Sequence, residues 1–287
     1  MIAVFGASGQ TGGEVTRQLA AKGVPTRALV HNPEKARMLE GLNVEIVQAD
    51  LTQSQTLEAA LTGADKAYFV TSGEITTLSE RFYTAAQRAG VRQIVRLSGS
   101  FLVSPDAPVQ FDRWHYQAEQ ALERSGIAYT HLRPSFFMQN VLFFGASGTL
   151  ALPMADARVN LVDYRDIAAV AVAALTGEGH KGQTYAITGP EALTFSEVAA
   201  RLTTASGRPF RYVPVSEGEF AQMIVQWGLP AAVATDLAKE YALIGAGHPA
   251  FSVVTDTVPR VTGQAARSVD RFAHDYAQTL VAPPQQS

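Results

Sequence analysis

Short apolar runs alternate with segments of helical periodicity along the first two thirds of the chain. The apolar runs predict strands at residues 2–5, 26–30, 44–51, 67–70, 92–97, 129–133 and 183–188. The intervening segments predict helices, which are clearest at residues 10–22, 75–89 and 110–124. Strands that alternate with helices are typical of a parallel sheet with helices on both faces. The pattern therefore predicts an α/β fold built on a doubly wound parallel sheet.

The pattern becomes largely helical after residue 194. It predicts helices at 195–206, 217–227 and 231–244, an isolated strand at 210–214 and a final helix at 264–280. Before this region, Asp166 is expected to cap the helix that follows it, which ends near residue 174. We therefore expect a sheet domain at 1–190 and a smaller, mostly helical lobe at 191–287, to which residues 135–160 contribute. The polar tail after the last helix is expected to be frayed.

Composition limits the classes of protein that the chain can represent. Of its 287 residues 47% are hydrophobic, and the net charge of −3 offers no electrostatic footprint for nucleic acid or an anionic membrane. The absence of cysteine excludes disulfides and thiolate catalysis, and the six histidines show no metal-binding spacing on a helix, so we expect no metal. With no cationic leader and no apolar run long enough to cross a bilayer, we expect a cytoplasmic protein.

The first predicted strand runs into a glycine-rich turn and then a helix. Gly6 permits a tight turn, Gly9 lets backbone N–H groups approach a pyrophosphate, and Gly12 lets the helix pack closely. The helix N-terminus offers unpaired N–H groups and a positive dipole end to phosphates. We expect a dinucleotide here, in contact with Gly6, Ala7, Ser8, Gly9, Gln10, Thr11 and Gly12. A strand-to-helix turn without a ligand is the alternative.

The tips of the second and third strands carry residues suited to adenosine. His31, Asn32 and Lys35 follow the second strand, where a carboxylate would bind the ribose 2′-hydroxyl of NAD and repel the 2′-phosphate of NADP. The absence of a carboxylate there favours NADP(H), with NAD(H) as the alternative. A solvated helix residue is an equally good interpretation of Lys35. Asp50, followed by Leu51, offers an acceptor to the adenine amino group, although a helix cap explains Asp50 equally well.

The later strand tips are expected to surround the nicotinamide. Because the carboxyl ends of parallel strands meet at one sheet edge, these tips converge in one crevice. The expected cofactor contacts are Thr71, Ser72, Gly73, Ser98, Gly99, Pro134, Ser135 and Phe136. The expected substrate contacts are Phe137 and Asn140. Core packing is the alternative for the two phenylalanines.

Four segments together resemble the atypical short-chain dehydrogenases, most closely their NmrA-like branch. They are Gly6-Ala-Ser-Gly-Gln-Thr-Gly12, His31-Asn-Pro-Glu-Lys-Ala36, the His115-x-x-x-Glu119 helix, and Leu132-Arg-Pro134 with the following Phe-Met-x-Asn140. That branch includes bacterial NAD(P)H quinone oxidoreductases and azoreductases, and also regulators that sense NADP without turning it over. The resemblance spans nearly the whole chain and implies a Rossmann-type domain with NADP(H) on the glycine-rich turn. Many relatives have an arginine in place of His31.

The helix at 110–124 departs from the Tyr-x-x-x-Lys pair with which many short-chain dehydrogenases move a proton. Counted back from Glu119, the two positions fall on Phe111 and His115, which share one helix face with Glu119. Phenylalanine cannot donate a proton, which counts against an alcohol dehydrogenase or an epimerase. His115 is expected to contact the nicotinamide ribose or to donate a proton, and packing on the helix face is its alternative role. Tyr116 is a substitute acid.

We therefore expect an NAD(P)H-dependent oxidoreductase that passes hydride to a small quinone-like or azo acceptor, for which a strong general acid is not obligatory. The alternative is a sensor that binds the same dinucleotide and changes its contacts with a protein partner. An ether or imine reductase is less favoured, because this helix offers no lysine near the nicotinamide. A homodimer is compatible with the sequence. Candidates for lining the acceptor pocket, or for core packing, are Met223, Trp227, Tyr241 and Phe251.

Overall fold

The computed structural model describes residues 1–281, apart from the side chains of Lys35 and Met38. The polar tail predicted to be frayed lies outside these residues. The strands are β1 (Ile2–Phe5), β2 (Thr26–Val30), β3 (Glu45–Gln48), β4 (Lys66–Phe69), β5 (Gln93–Leu97), β6 (Ala128–Pro134), β7 (Phe136–Phe137), β8 (Thr149–Leu152), β9 (Val159–Val162), β10 (Gln183–Ile187), β11 (Ala192–Leu193) and β12 (Arg211–Pro214).

Helices follow most of these strands. They are α1 (Gln10–Ala21), α2 (Ser54–Leu61), α3 (Ile75–Arg88), α4 (Gln110–Arg124), α5 (Asn140–Phe144), α6 (Tyr164–Thr176), α7 (Phe195–Ser206), α8 (Glu217–Gln226), α9 (Ala231–Gly245), α10 (Thr257–Thr262), α11 (Val269–Asp275) and α12 (Ala277–Val281). Short 3₁₀ helices cover Pro33–Leu39 and Pro249–Ser252. Within residues 1–281, no helix has both the length and the apolar character needed to cross a bilayer.

The main sheet has seven strands in the order β10-β6-β5-β4-β1-β2-β3, and each neighbouring pair is parallel. The strand order reverses between β1 and β4, which creates a switch point at the carboxyl edge of the sheet. Crevices at such points are where open α/β sheets bind their ligands. The sheet therefore directs the search for a site to the tips of β1, β4, β5 and β6.

Helices cover both faces of the sheet. On one face α1 packs with α6, where Leu19 and Ile167 join the same buried cluster. On the other face α2, α3 and α4 contribute Leu57, Phe82 and Leu122 to a second cluster. The apolar helix positions recur at the helical period, so each helix buries one stripe against the sheet. The predicted doubly wound Rossmann-type fold is confirmed.

A third buried cluster joins the middle of the chain to its C-terminal third. Leu150 and Leu161 pack there with Phe195, Phe220 and Tyr241. Helix α10 behaves differently, because its Val258 packs in the sheet cluster beside α6. A division of the chain at residue 190 therefore stays a prediction.

Of two predicted elements of the C-terminal third, one is confirmed and one is wrong. The strand predicted at 210–214 is β12, which pairs in parallel with β8, with Arg211 opposite Thr149. The predicted helix at 264–280 is replaced by α11 and α12 after a non-helical segment. The side chain of Ser268 accepts the N–H of Arg271 and begins α11 at Val269, so the residues before it cannot continue a helix.

The predicted cap of the helix after β9 is also wrong. Asp163 caps α6 by accepting the N–H of Arg165 over 2.9 Å. Asp166 lies in the first turn of α6 and is buried. It accepts the backbone N–H of Arg267 over 2.7 Å and also bonds the guanidinium of Arg267. Asp166 therefore holds the segment before α11 against α6, a contact across 101 residues that local sequence does not reveal.

Candidate active site

The glycine-rich turn joins β1 to the N-terminus of α1. Gly9 precedes the helix, and no side chain in the described part of the chain caps it. The N–H of Gly9 itself donates to the carbonyl of Gly6 over 2.9 Å. The next three residues, Gln10, Thr11 and Gly12, begin the helix, where backbone N–H groups have no helical carbonyl to bond. These donors and the positive end of the helix dipole suit the phosphates of a dinucleotide.

Gly12 lies against the carbonyl group of Gly6. A Cβ on Gly12 would stand 2.2 Å from that oxygen and 2.6 Å from its carbon. Gly6 itself has a φ of +77°, a left-handed conformation that favours glycine. Around them Ala7 is buried, Ser8 is half-buried and Gln10 is exposed. The turn therefore needs glycine at both positions in order to hold the helix N-terminus at the tip of β1.

The adenosine side of the crevice contains a carboxylate. His31 is exposed, and its Nδ1 lies 3.8 Å from Oδ2 of Asp50. Asp50 accepts the backbone N–H of Thr52 over 2.8 Å and its hydroxyl over 2.7 Å, and these hydrogen bonds lower the pKa of Asp50. A negative charge therefore stands beside His31, in the region that binds the 2′ position of the ribose in such folds.

The other predicted adenosine contacts are partly engaged elsewhere. The side-chain oxygen of Asn32 accepts the N–H of Glu34 over 2.9 Å and starts the 3₁₀ helix. Leu51 is buried in the core between α2, α3 and the sheet. Asp50 does not cap α2, which Gln53 precedes. Lys35 lies in the 3₁₀ helix, and its side chain is outside the described part of the structure.

A cavity of about 300 Å³ lies at the carboxyl ends of β4, β5 and β6. Residues of α4 and α9 close its other sides. It brings together the predicted residues Thr71, Ser98, Gly99, His115, Pro134, Ser135, Phe136, Phe137 and Asn140. Their roles toward a cofactor or a substrate stay predictions. Their position at the same sheet edge as the glycine-rich turn is what a dinucleotide that spans the crevice requires.

A second space adjoins this cavity, which we call the outer groove. It measures about 670 Å³ and is lined within residues 72–75, 110–114 and 232–240. Ser72 and Gly73 line the groove and not the cavity. Tyr116 is half-buried and lines neither space, so we do not retain it as a proton donor.

The two phenylalanines after β6 combine both of their expected roles. Phe136 is buried, packs edge-on against Phe195 and also lines the cavity. Phe137 is half-buried and also lines the cavity. Of the four candidates for an acceptor pocket in the C-terminal third, Tyr241 and Phe251 line the cavity. Met223 and Trp227 line neither the cavity nor the outer groove.

His115 is the buried histidine of the cavity wall. Its Nδ1 lies 2.8 Å from Nη2 of Arg96, and its ring meets the edge of Phe111 at 4.5 Å between centroids. Burial and the nearby charges of Arg96 and Arg133 hold the pKa of His115 well below its usual range. A guanidinium can only donate, so Nδ1 is the acceptor and the ring proton resides on Nε2. Neutral His115 therefore has an N–H with which to bind a ligand hydroxyl or amide.

Glu119 ties the tips of β5 and β6 to α4. It forms a bidentate ion pair with Arg133, with distances of 3.0 and 2.5 Å. The hydroxyl of Ser98 donates to the same carboxylate. These bonds lower the pKa of Glu119 against the opposing effect of burial. Because the Ser98 hydroxyl donates its hydrogen bond to Glu119, the hydroxyl oxygen can only accept a hydrogen bond from a ligand.

Two aspartates hold the start of α4. Asp236 of α9 accepts the backbone N–H groups of Gln110 over 2.8 Å and Phe111 over 2.7 Å. Asp112 is fully buried and accepts the N–H and the hydroxyl of Ser100, both over 3.1 Å. Asp112 joins α4 to the tip of β5, and Asp236 joins α4 to α9 of the C-terminal lobe. The cavity wall is therefore built from both parts of the chain.

Glu240 lines both the cavity and the outer groove. Burial, with the negative charges of Asp112 and Asp236, raises the pKa of Glu240 to about 8. Burial also raises the pKa of Asp112 to about 6. A group with a pKa near 8 keeps its proton at neutral pH. Glu240 therefore presents a carboxylic acid to the space in which an acceptor would bind.

Sequence analysis missed several of these groups, among them Arg96 and Glu240. A charged residue within the apolar strand β5 was a usable signal for Arg96, because an arginine is almost never fully buried unless it is paired. Glu240 had no such signal, since one carboxylate on an amphipathic helix is ordinary. Its importance depends on the packing of α9 against the start of α4, which local sequence does not specify.

The fold and the site are those of a Rossmann-type dinucleotide-binding protein. The model of the NmrA-like family matches residues 1–269. The chain therefore belongs to the NmrA-like family, as its sequence motifs predicted.

Three relatives cover nearly the whole chain. An NAD(P)H azoreductase of Xenophilus azovorans is 41% identical over 98% of this chain and 100% of its own length. A (4-alkanoyl-5-oxo-2,5-dihydrofuran-3-yl)methyl phosphate reductase of Streptomyces griseus is 37% identical over 98% of this chain and 99% of its own. The structure of an NADPH-dependent quinone oxidoreductase of Escherichia coli in complex with NADPH is 29% identical, with a TM-score of 0.83 over 96% of this chain and 99% of the other.

Proposed function

We propose that this chain is an NAD(P)H-dependent reductase that transfers hydride to a small quinone-like or azo acceptor. The observation that carries the proposal is the position of the cavity, at the same sheet edge as the uncapped N-terminus of α1. A dinucleotide whose pyrophosphate rests on that helix reaches the tips of β4, β5 and β6 with its nicotinamide. The names of the azoreductase and quinone oxidoreductase relatives support the same reaction class.

The residues present fit a nicotinamide dinucleotide. Gly6 and Gly12 shape a turn that a Cβ would obstruct, and the first N–H groups of α1 have no helical partner. Exposed His31 follows β2, whose tip contacts the ribose in such folds, and the names of two relatives include NADPH or NAD(P)H. We therefore favour NADPH as the cofactor, with NADH as a second donor. A bound dihydronicotinamide supplies a hydride.

The chain's own contribution is positioning and protonation. His115, held as the Nε2–H tautomer by Arg96, binds the cofactor's ribose or amide. Phe111 stands where the usual tyrosine acid would lie and closes the cavity with an apolar edge. Glu240 keeps a proton at neutral pH and faces the acceptor space. This arrangement suits an acceptor that becomes an anion on reduction and needs only a weak acid to protonate it.

The cellular setting follows from this proposal. A small-molecule acceptor and a cytoplasmic location agree with a reductase that draws on the NADPH pool. Self-association as a homodimer and the lack of nucleic-acid binding stay predictions. Analytical ultracentrifugation and a titration with duplex DNA test these two points directly.

The first experiment is a titration of the purified protein with NADPH, followed by a panel of quinones and azo dyes while nicotinamide absorbance is recorded. Saturable, protein-dependent oxidation of NADPH is the expected result. Tight binding without oxidation of NADPH by any acceptor would overturn the reductase and favour a dinucleotide sensor of the NmrA type. No binding of either dinucleotide would overturn the assignment of the glycine-rich turn.

A further inference from the structure

The outer groove carries large apolar side chains on the protein surface. Phe111 is 40% exposed, Trp114 is 37% exposed and Val233 is 46% exposed, and all three line this groove. Single exposed apolar residues are common, but a contiguous apolar surface beside a ligand cavity indicates a binding site. The groove thus offers a surface suited to a flat apolar ring, on which Phe111 and Trp114 can stack.

The groove is continuous with the cavity. Phe111, Leu237 and Glu240 line both spaces, so a ligand that extends past these residues from the cavity enters the groove. The cavity alone, at about 300 Å³, lies at the lower end of the volumes of small-molecule sites. A nicotinamide ring and the reducible group of an acceptor must share it. The remainder of any acceptor larger than one ring needs space elsewhere.

We propose that the enzyme's acceptors have two aromatic units, with the reducible group and first ring in the cavity and the second ring in the outer groove. This inference rests on the proposed reductase function and specifies its substrate class. The second ring contacts Phe111, Trp114 and Val233, which line the groove. Apolar burial of this ring supplies binding energy away from the reacting atoms, which is how an enzyme positions a substrate.

The ionisable residues of the groove restrict the second ring further. Asp236 and Glu240 are the ionisable residues among its described lining, and both are acidic. Asp236 has its carboxylate at the N-terminus of α4, held by two backbone N–H groups. A sulfonate or carboxylate on the second ring would meet this carboxylate without a cation beside it. The groove therefore disfavours an anionic ring.

Binding of unreactive analogues tests the groove separately from turnover. Benzanilide has two rings joined by an amide in place of an azo group, and benzamide has one ring. Both are titrated calorimetrically into the protein saturated with NADP⁺. We expect benzanilide to bind at least about tenfold more tightly, the effect of burying one further ring. A sulfonate on its second ring is expected to remove most of that gain.

Two valine variants locate the site of binding. Val233→Asp places a charge in the groove, whereas Val225→Asp changes an equally exposed valine of α8 outside it. We expect Val233→Asp to weaken benzanilide about tenfold, with benzamide unaffected, and Val225→Asp to change neither.

The outcomes distinguish failure of the two-ring site from failure of the proposed reductase function. Equal binding of one-ring and two-ring analogues, or an unchanged Val233→Asp variant, overturns the two-ring site even if NADPH reduces a quinone. If benzanilide binds in the groove but NADPH reduces no acceptor, the reductase fails and the groove stands as a two-ring binding site. Equal affinity for the sulfonated analogue overturns the charge preference.

Discussion

The guanidinium of Arg96 donates a hydrogen bond of 2.8 Å to Nδ1 of His115, which fixes the tautomer of the histidine in the cavity wall. Arg96 is almost fully buried, and its Nε and Nη1 have no hydrogen-bond partner among residues 1–281. Buried, unpaired donors destabilise a fold by about 1–3 kcal/mol each. A strand position that carries this cost in stability is expected to serve the site.

Replacement of Arg96 by methionine should therefore separate stability from function. We expect Arg96→Met to raise the free energy of unfolding by about 1 kcal/mol, because it removes unpaired polar groups and keeps an extended side chain. NADPH should bind about fivefold more weakly, because His115 loses its fixed tautomer and one hydrogen bond is lost or misdirected. Urea unfolding and fluorescence titration measure the two effects. Arg96→Lys, which keeps a donor, should restore part of the affinity, and a loss of both stability and affinity in Arg96→Met would indicate a purely structural role.

Gly12 supplies a second test, of the dinucleotide turn. Alanine at this position would place its Cβ 2.2 Å from the carbonyl oxygen of Gly6, so the helix must move away from the turn. We expect Gly12→Ala to destabilise the protein by about 1–3 kcal/mol and to abolish measurable NADPH binding. The matched control is Gly218→Ala in α8, where a Cβ meets nothing within 4 Å and stability should hold or rise slightly. NADPH binding by Gly12→Ala with wild-type affinity would remove the turn from the cofactor site.

Local sequence specified the parts of the fold that repeat a local pattern. The helix from Gln110 to Arg124 and the strand from Thr26 to Val30 have their predicted bounds, because helix and strand periodicity and flanking turns act within a few residues. The same logic failed at Asp166, which was expected to cap its own helix but bonds Arg267 instead. A single sequence does not show which residues far apart along the chain form hydrogen bonds with one another.

The residues of the candidate site likewise include some that could be predicted from the sequence and some that could not. Residues at the tips of strands could be predicted, because parallel topology alone brings Thr71, Ser98 and Pro134 to one edge. Glu240 could not, because its position depends on how α9 packs against α4. Asp50 shows an intermediate case: its place at a strand tip was expected, but its proximity to His31 was not. That proximity changes the expected cofactor selectivity.

His31 should limit the preference for NADPH over NADH. An exposed imidazole beside the Asp50 carboxylate gives a 2′-phosphate less attraction than a guanidinium, which binds phosphate in a bidentate manner. We expect His31→Arg to raise the ratio of kcat/KM for NADPH to that for NADH about tenfold, the effect of one charge-assisted interaction. His274→Arg, at another exposed histidine far along the chain, is the control for added charge. An unchanged ratio in His31→Arg would place the 2′ position elsewhere.

Glu240 should make the stability of the protein depend on pH in a defined direction. Its folded-state pKa of about 8 is higher than the ordinary value of a glutamate, so the native protein binds a proton that the unfolded chain releases. The contribution of Glu240 to the free energy of unfolding must then fall as the pH rises from about 4.5 to about 8, by at most about 1.4 kcal/mol per unit, and level off above. In the interval from pH 6.5 to 8, histidines that burial keeps neutral in the native protein, such as His115, lose their protons in the unfolded chain and oppose this fall, so the contribution of Glu240 is obtained as the difference between wild type and Glu240→Gln.

Urea unfolding across this interval compares wild type with Glu240→Gln and with Glu217→Gln, a control at an exposed glutamate of α8. We expect the free energy of unfolding of wild type relative to Glu240→Gln to fall across this interval, because glutamine keeps a hydrogen-bond donor and cannot ionise, and the difference between wild type and Glu217→Gln to stay constant. The same protonated carboxyl faces the acceptor, so wild-type turnover should decline through pH 8 and the decline should be lost in Glu240→Gln. A difference between wild type and Glu240→Gln that does not change with pH would mean that Glu240 is ionised at neutral pH and cannot be the acid of the acceptor site.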